Sequence, residues 1–154
     1  ILNRWIRPGL HNGRVAWERR PLDAERMHDA AQVLVGEHDF SSFRALGCQA
    51  KHAVRELKRI EIQRHGDEVV IDVSANAFLY HMVRNIAGSL NAIGCGERDP
   101  GWLASVLEAR DRKRAGVTAP AEGLYFMGVD YPDHPELPTR DESLMPFPRG
   151  RDLS

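Results

Sequence analysis

Apolar residues recur at helical spacing between Ala77 and Ile93. At 100° per residue, Leu79, Met82, Val83, Ile86, Leu90 and Ile93 fall in one narrow stripe, with Tyr80, His81, Arg84, Gly88 and Asn91 opposite. The pattern predicts a helix over 77–93, closed by Gly94, that buries one side and leaves the other open. A second helix is predicted over 24–35: Asp23 can cap it, Met27, Ala30, Ala31 and Leu34 form its stripe, and Gly36 ends it. Asp99-Pro100 opens a third, with Leu103, Val106 and Leu107 inward. The period changes to two in Leu57–Arg64 and Val69–Ala75, and His65-Gly66-Asp67 between them predicts a hairpin. Its inward residues are Ile60, Ile62, Val69, Ile71 and Val73. Short extended stretches are expected at 1–6 and 14–18, around Pro8-Gly9 and Asn12-Gly13, and a last strand at 124–131. Residues 37–52 sustain no period and read as an ordered loop with room for one helical turn.

The order strand, helix, hairpin, helix, extra helix, strand predicts an α+β fold. It is close to the ferredoxin-like β-α-β-β-α-β arrangement, an antiparallel sheet with helices on one face. Such a fold hosts many functions and decides none. The aromatic signature strand of the RNA-recognition modules that share a similar sheet is missing, so that assignment does not fit. There is no internal repeat. Everything after Pro132 is Pro-rich and polar, which divides the chain into an ordered domain over 1–132 and a loosely held tail over 133–154.

The 154 residues, 42% hydrophobic and 28% charged, suffice for one domain with a real core. A net charge of −1 excludes a histone-like or wholly basic nucleic-acid binder. No apolar run nears the ~18 residues of a membrane span and no signal peptide opens the chain. The expectation is a soluble, cytoplasmic protein without membrane contact. The first residue is Ile1, not methionine, from which a piece of something longer is expected. Charge is uneven: residues 1–60 carry 11 basic and 7 acidic groups, and residues 115–154 carry 3 and 7. Eighteen of the 21 basic residues are Arg. Arg is the better bidentate phosphate ligand, but a GC-rich genome also favours Arg codons, and composition alone favours the second account. The cluster Arg110, Arg112, Lys113 and Arg114 suits the C-terminal end of the third helix electrostatically.

Familiar chemical motifs are few. His38-Asp39 lacks the further ligands a metal site needs, and no H-E-x-x-H, P-loop or dinucleotide fingerprint occurs. Cys48 and Cys95 lack zinc spacing and read as free thiols, and Gly94-Cys95-Gly96 is a helix exit.

Three segments say more together. The first is His38-Asp39-Phe40-Ser41-Ser42-Phe43-Arg44 with Gly47-Cys48-Gln49. The second is Asn76-Ala77-Phe78-Leu79-Tyr80-His81-Met82-Val83-Arg84-Asn85-Ile86-Ala87-Gly88. The third runs from Asp111-Arg112 through Thr118-Ala119-Pro120-Ala121-Glu122-Gly123-Leu124-Tyr125-Phe126. With Trp102 and Val129-Asp130-Tyr131-Pro132, they closely resemble the C-terminal part of the tRNA pseudouridine synthase A family, from about Asn3 to Pro132. The resemblance implies an isomerase of uridines in the tRNA anticodon stem-loop, acting as a homodimer without metal or organic cofactor. It also implies an α/β catalytic domain in two similar halves around a central antiparallel sheet, and a target base flipped out of its stack. The family's nucleophilic Asp lies in a G-R-T-D-A-G segment and its stacking Tyr in an R-Y-x-Y strand, and neither occurs in this sequence. The expected reading is therefore a C-terminal half that needs its own N-terminal half for the nucleophile and is inactive alone. A non-catalytic RNA-binding or dimerisation module is the alternative.

Carried over residue by residue, the resemblance makes Arg84 the partner of the nucleophilic Asp, since a guanidinium keeps a carboxylate ionised and aimed. An ordinary solvated face is the plain alternative. Leu124 becomes the apolar wall beside the flipped base, or simply core. Phe43 and Arg44 are expected to face RNA, against a loop staple and a surface arginine. Tyr80 and His81 are placed with Arg84 and Leu124 along an RNA-facing groove, and Arg112 and Arg114 are weaker phosphate candidates. Gly88 leaves room for backbone or base on that side. Arg84 is expected to be unpaired or to borrow an acid, with a poorly fixed conformation.

Overall fold

The β-hairpin anticipated from the period-two segments organises the fold. In a computed structural model, which describes residues 1–131, β4 (Val54–His65) and β5 (Glu68–Ala75) pair antiparallel, with Ile60 opposite Val73 and Ile62 opposite Ile71. Ile60, Ile62 and Val69 are buried, and Ile71 and Val73 pack partly buried against the core. Gly66 turns the chain at φ 58°, a left-handed conformation that glycine adopts without a Cβ penalty. Arg64 follows Ile60 and Ile62 in the alternation but is exposed at the end of the hairpin. Its guanidinium donates to Asn3 Oδ1 (2.8 Å) and the Leu22 carbonyl (2.6 Å).

Around the hairpin the sheet has five strands in the order β2 (Trp17–Glu18), β1 (Leu2–Asn3), β5, β4, β3 (Gly36–Asp39). Three of its pairings are antiparallel, whereas β1 and β2 pair in parallel, so the sheet is mixed. Asn3 makes that corner rigid. Its Nδ2 donates to the carbonyls of Glu18 (3.0 Å) and Arg20 (2.6 Å), and its Oδ1 accepts from Leu22 N (3.0 Å) as well as from Arg64. The first helix, α1 (Ala24–Ala31), is capped by Asp23 accepting from Arg26 N at 2.9 Å. It tightens into a 3₁₀ turn at Gln32–Leu34, with Met27, Ala30, Ala31 and Leu34 buried as expected. It packs on β4 and on α2 (Met82–Gly94). A Cβ at Gly94 would lie 2.5 Å from Met27 Sδ, so this glycine permits the α1–α2 approach. The third helix, α3 (Trp102–Ala109), buries Leu103, Val106 and Leu107 as its pattern demands.

The parallel β1–β2 pairing departs from the antiparallel sheet that the sequence predicts, and three further segments differ from expectation. Residues 37–52 are not all loop: Gly36–Asp39 forms the edge strand β3 on β4, followed by a 3₁₀ turn at Ser41–Phe43. Gly-Glu-His-Asp has no apolar alternation because an edge strand with polar side chains needs none. Helix α2 begins at Met82 rather than at 77. Leu79 is buried all the same, and His81 at φ 59° is left-handed and cannot continue a helix backwards. Residues 124–131 carry no strand, and Leu124, Tyr125 and Phe126 are all half exposed or more. A strand needs an edge to pair with as well as an alternating pattern.

By its internal packing the chain divides into Ile1–Gly123 and a second unit that begins at Leu124. The tail expected over 133–154 lies outside the described residues. Among the described residues, no helix is long and apolar enough to cross a membrane.

Candidate functional site

The outward face of α2 is covered by a strap of chain, 115–119, and the sequence explains how. Gly88 has no side chain; a Cβ there would lie 1.7 Å from the Val117 carbonyl oxygen. Gly116 makes the matching approach from the other side, where a Cβ would come within 2.8 Å of Ser89 Cα. The room that Gly88 leaves is thus filled by backbone. Gly116 N donates to Ser89 Oγ (2.9 Å), and Ser89 Oγ donates to the Asn85 carbonyl (2.9 Å).

Asn85, fully buried, locks the strap to the core. Its Nδ2 donates to the Phe43 carbonyl (2.7 Å), and its Oδ1 accepts from Arg112 Nη2 (3.0 Å) and Thr118 Oγ1 (2.7 Å). Arg112 also reaches Thr118 Oγ1 (2.8 Å) and the Gly116 carbonyl (3.0 Å). Among the described residues, no buried side-chain N or O atom of this cluster lacks a hydrogen bond, as burial requires.

The strap ends at Arg84. Ala119 N donates to the Arg84 carbonyl (3.0 Å), and Arg84 Nε donates back to the Ala119 carbonyl (2.8 Å). Arg84 Nη1 lies 3.1 Å from His81 Nε2. A guanidinium only donates, so Nε2 is the acceptor of this pair. Tyr80, 55% exposed, stacks on the His81 ring at 4.0 Å and 27°. Its backbone is anchored by Ala45 N donating to its carbonyl (3.0 Å) and by its own N–H directed at Cys48 Sγ (3.5 Å). The N–H groups of Tyr80 and Ala50, with Arg44 close by, hold the Cys48 thiol below its ordinary range.

Arg84 is half-buried and has no acidic partner among the described residues, and its Nη2 makes no hydrogen bond there. Its conformation is nonetheless determined at two points, against the expectation of a loosely held side chain. A positive group fixed at Nε and Nη1, with its Nη2 edge unengaged, is disposed to receive an anion such as a carboxylate.

The structure brings Tyr80, His81 and Arg84 into one continuous array and corrects other expectations. Phe43 is completely buried against Phe40 (6.1 Å between rings), the place of a loop staple, with no face open to a base. Arg44 is half-buried, and its Nη2 is bound to the carbonyls of Cys48 and Ala50, both at 2.8 Å; it braces the loop. Arg112 is spent on the Asn85 cluster rather than presented to phosphate. Arg114 is exposed, and Leu124 is 50% exposed within the second unit, not core. His38 and Asp39 serve locally: His38 Nε2 meets the Val35 carbonyl, and Asp39 accepts from Ser41 N and Oγ. Sequence reasoning missed Asn85 and Ser89 as anchors. The signal was present, since two polar residues four apart interrupt the apolar stripe of α2 and must find buried partners.

A family model described as tRNA pseudouridine synthase matches residues 30–132, a span that contains the Arg84 array, the Asn85 cluster and the strap. The chain belongs to this family. It is 59% identical over 138 residues to a tRNA pseudouridine synthase A of Nitrosococcus oceani, covering 90% of this chain and 53% of that protein. It is 56% identical over 138 residues to the tRNA pseudouridine synthase A of Xanthomonas axonopodis pv. citri, covering 90% and 54%. The chain therefore spans about half the length of the curated relatives it matches. Family membership accounts for the α+β half-domain with its mixed sheet.

Proposed function

We propose that this chain is the C-terminal portion of an enzyme that isomerises uridine to pseudouridine in the anticodon stem-loop of tRNA. The observation that carries the reading is Arg84: a guanidinium fixed by Ala119 and His81, without an acidic partner among the described residues, in a chain spanning half of its relatives' length. In this reading the nucleophilic carboxylate comes from the enzyme's other half and is held ionised by Arg84.

The reaction conserves composition. The C1′–N1 bond of the flipped uridine breaks, the uracil turns, and a C1′–C5 bond forms. The proton on C5 leaves, and N1 gains one. Nothing in that sequence requires a group beyond the carboxylate nucleophile, a base for C5 and a site that holds the uracil. Tyr80 and His81 present a stacked aromatic surface beside Arg84, suited to an unstacked base. Arg114 is proposed as a phosphate contact. The intact enzyme is proposed to be a cytoplasmic homodimer.

Tritium release from C5 of uridine-labelled, unmodified tRNA tests the reading. The full reading frame that contains this chain is expected to release tritium, and the 154-residue chain alone to release none. Turnover by the chain alone would overturn the placement of the nucleophile. Failure of the full reading frame on every tRNA tried would overturn the enzyme.

A further inference from the structure

The N-terminal corner of the sheet carries chemistry that the Arg84 array does not use. Residues 1–22 contain five arginines and one acid, Glu18. Two of the arginines are committed: Arg4 lies 3.8 Å from Asp67, and Arg20 pairs with Glu18 (2.8 Å) and with Glu97. Arg7 and Arg19 have no acidic partner among the described residues. Each lies over a tryptophan instead, Arg7 at 4.7 Å from the Trp17 ring centre and Arg19 at 5.6 Å from that of Trp5.

Trp5 is 76% exposed, so Arg19 covers only part of it, and Ile6 beside it is 70% exposed. The base of the patch is rigid. The β1–β2 pairing sets Asn3 against Glu18, Asn3 satisfies all its hydrogen bonds there, and Trp17 Nε1 donates to the Arg4 carbonyl (2.9 Å). An open groove of about 700 Å³ runs along it, lined in part by Arg4, Trp5, Arg19, Arg20 and Arg64.

We infer that this corner is a contact surface for unpaired RNA, separate from the Arg84 array. Arg7 and Arg19 take phosphates with their edge N–H donors, and the open part of Trp5 stacks on a base. A guanidinium resting on an indole keeps its donors pointing outward, in the planar fork that suits phosphate. An aromatic platform beside unpaired cations is how single strands are held without sequence preference. With Arg4 and Arg20 offset by Glu18, Asp67 and Glu97, the charges of Arg7 and Arg19 match a polyanion and disfavour a second copy of the same surface. The inference goes beyond the isomerase reading and stands whether or not Arg84 takes part in catalysis.

Fluorescence anisotropy with a labelled, unstructured 12-nucleotide RNA of mixed sequence, titrated with the 154-residue chain between 50 and 200 mM salt, provides the test. The Arg7→Gln/Arg19→Gln double variant is expected to bind about tenfold more weakly and to flatten the log–log salt slope by about two. Trp5→Ala is expected to lose about five- to tenfold in affinity with the slope unchanged. All three positions are at the surface, and circular dichroism with a thermal melt verifies that the variants fold. Unchanged affinity and slope in the double variant would overturn the phosphate contacts, and an unaffected Trp5→Ala would overturn the stacking. Sedimentation velocity covers the other occupant: Trp5→Ala abolishing self-association with RNA binding intact would reassign the patch to a second copy. Because binding is read on this chain and isomerisation on the full reading frame, the two proposals fail separately.

Discussion

Arg84 and Ala119, 35 residues apart, exchange two hydrogen bonds, Ala119 N to the Arg84 carbonyl and Arg84 Nε to the Ala119 carbonyl. The first ties the strap to the α2 backbone, and the second fixes the azimuth of the guanidinium. A side chain with four rotatable torsions therefore presents its charge in one direction. That fixed direction is what the proposed pairing with a nucleophilic carboxylate needs.

In the full-length enzyme Arg84→Ala is expected to lower the chemical step on the order of 10²-fold while tRNA affinity changes less than about threefold. Single-turnover tritium release set beside filter binding separates the two. Equal loss in both would make Arg84 a plain phosphate contact.

Gly88→Ala places a methyl group where the Val117 carbonyl lies, 1.7 Å away. Backbone must move, so a destabilisation of about 1–3 kcal/mol is expected, together with loss of the Arg84–Ala119 exchange. Urea denaturation of the 154-residue chain reads the first. A midpoint equal to that of the parent would show that the strap does not lie on α2.

Asn85→Leu keeps the volume of the buried side chain but leaves the Phe43 carbonyl without its Asn85 donor and Thr118 Oγ1 without its acceptor. Loss of about 2–3 kcal/mol is expected. Because Thr118 and Arg112 share that cluster, Thr118→Val combined with Asn85→Leu should cost less than the sum of the two single changes. Additive costs would mean that the cluster does not act as a unit.

Asp39 accepts from the hydroxyl and N–H of Ser41, and Arg110 lies 3.6 Å away; these hold its carboxyl below the ordinary carboxylate range. A carboxyl depressed in the folded state contributes stability that is complete above its unfolded pKa, about 3.9, and is lost as pH falls through the folded value. Ser41→Ala is expected to raise the Asp39 titration midpoint in NMR and to flatten the acid limb of stability below about pH 4. An unmoved midpoint would remove Ser41 as the cause.

Three helices, the β4–β5 hairpin and the inward faces of both were legible in the residue pattern, because each element buries a face whose period is its own. Ile60 and Ile62 alternate, and Met82, Ile86, Leu90 and Ile93 recur at helical spacing, whatever they pack against. The place of Arg84 opposite the apolar stripe was legible for the same reason, and the three ordered motifs pointed to the family. Edge strand β3 was not legible, since its pairing is made by backbone groups that every sequence has. Nor was the start of α2, which a left-handed His81 sets. The inward engagement of Phe43 and Arg112 was not legible because exposure belongs to the folded surroundings: a phenyl ring in a loop and an arginine after a helix look alike in sequence, whether they meet RNA or the interior. The grip of Ala119 on Arg84 was beyond the sequence altogether. It depends on Gly88 and Gly116 letting two distant backbones touch, and a glycine's lack of a side chain does not say what will fill the space.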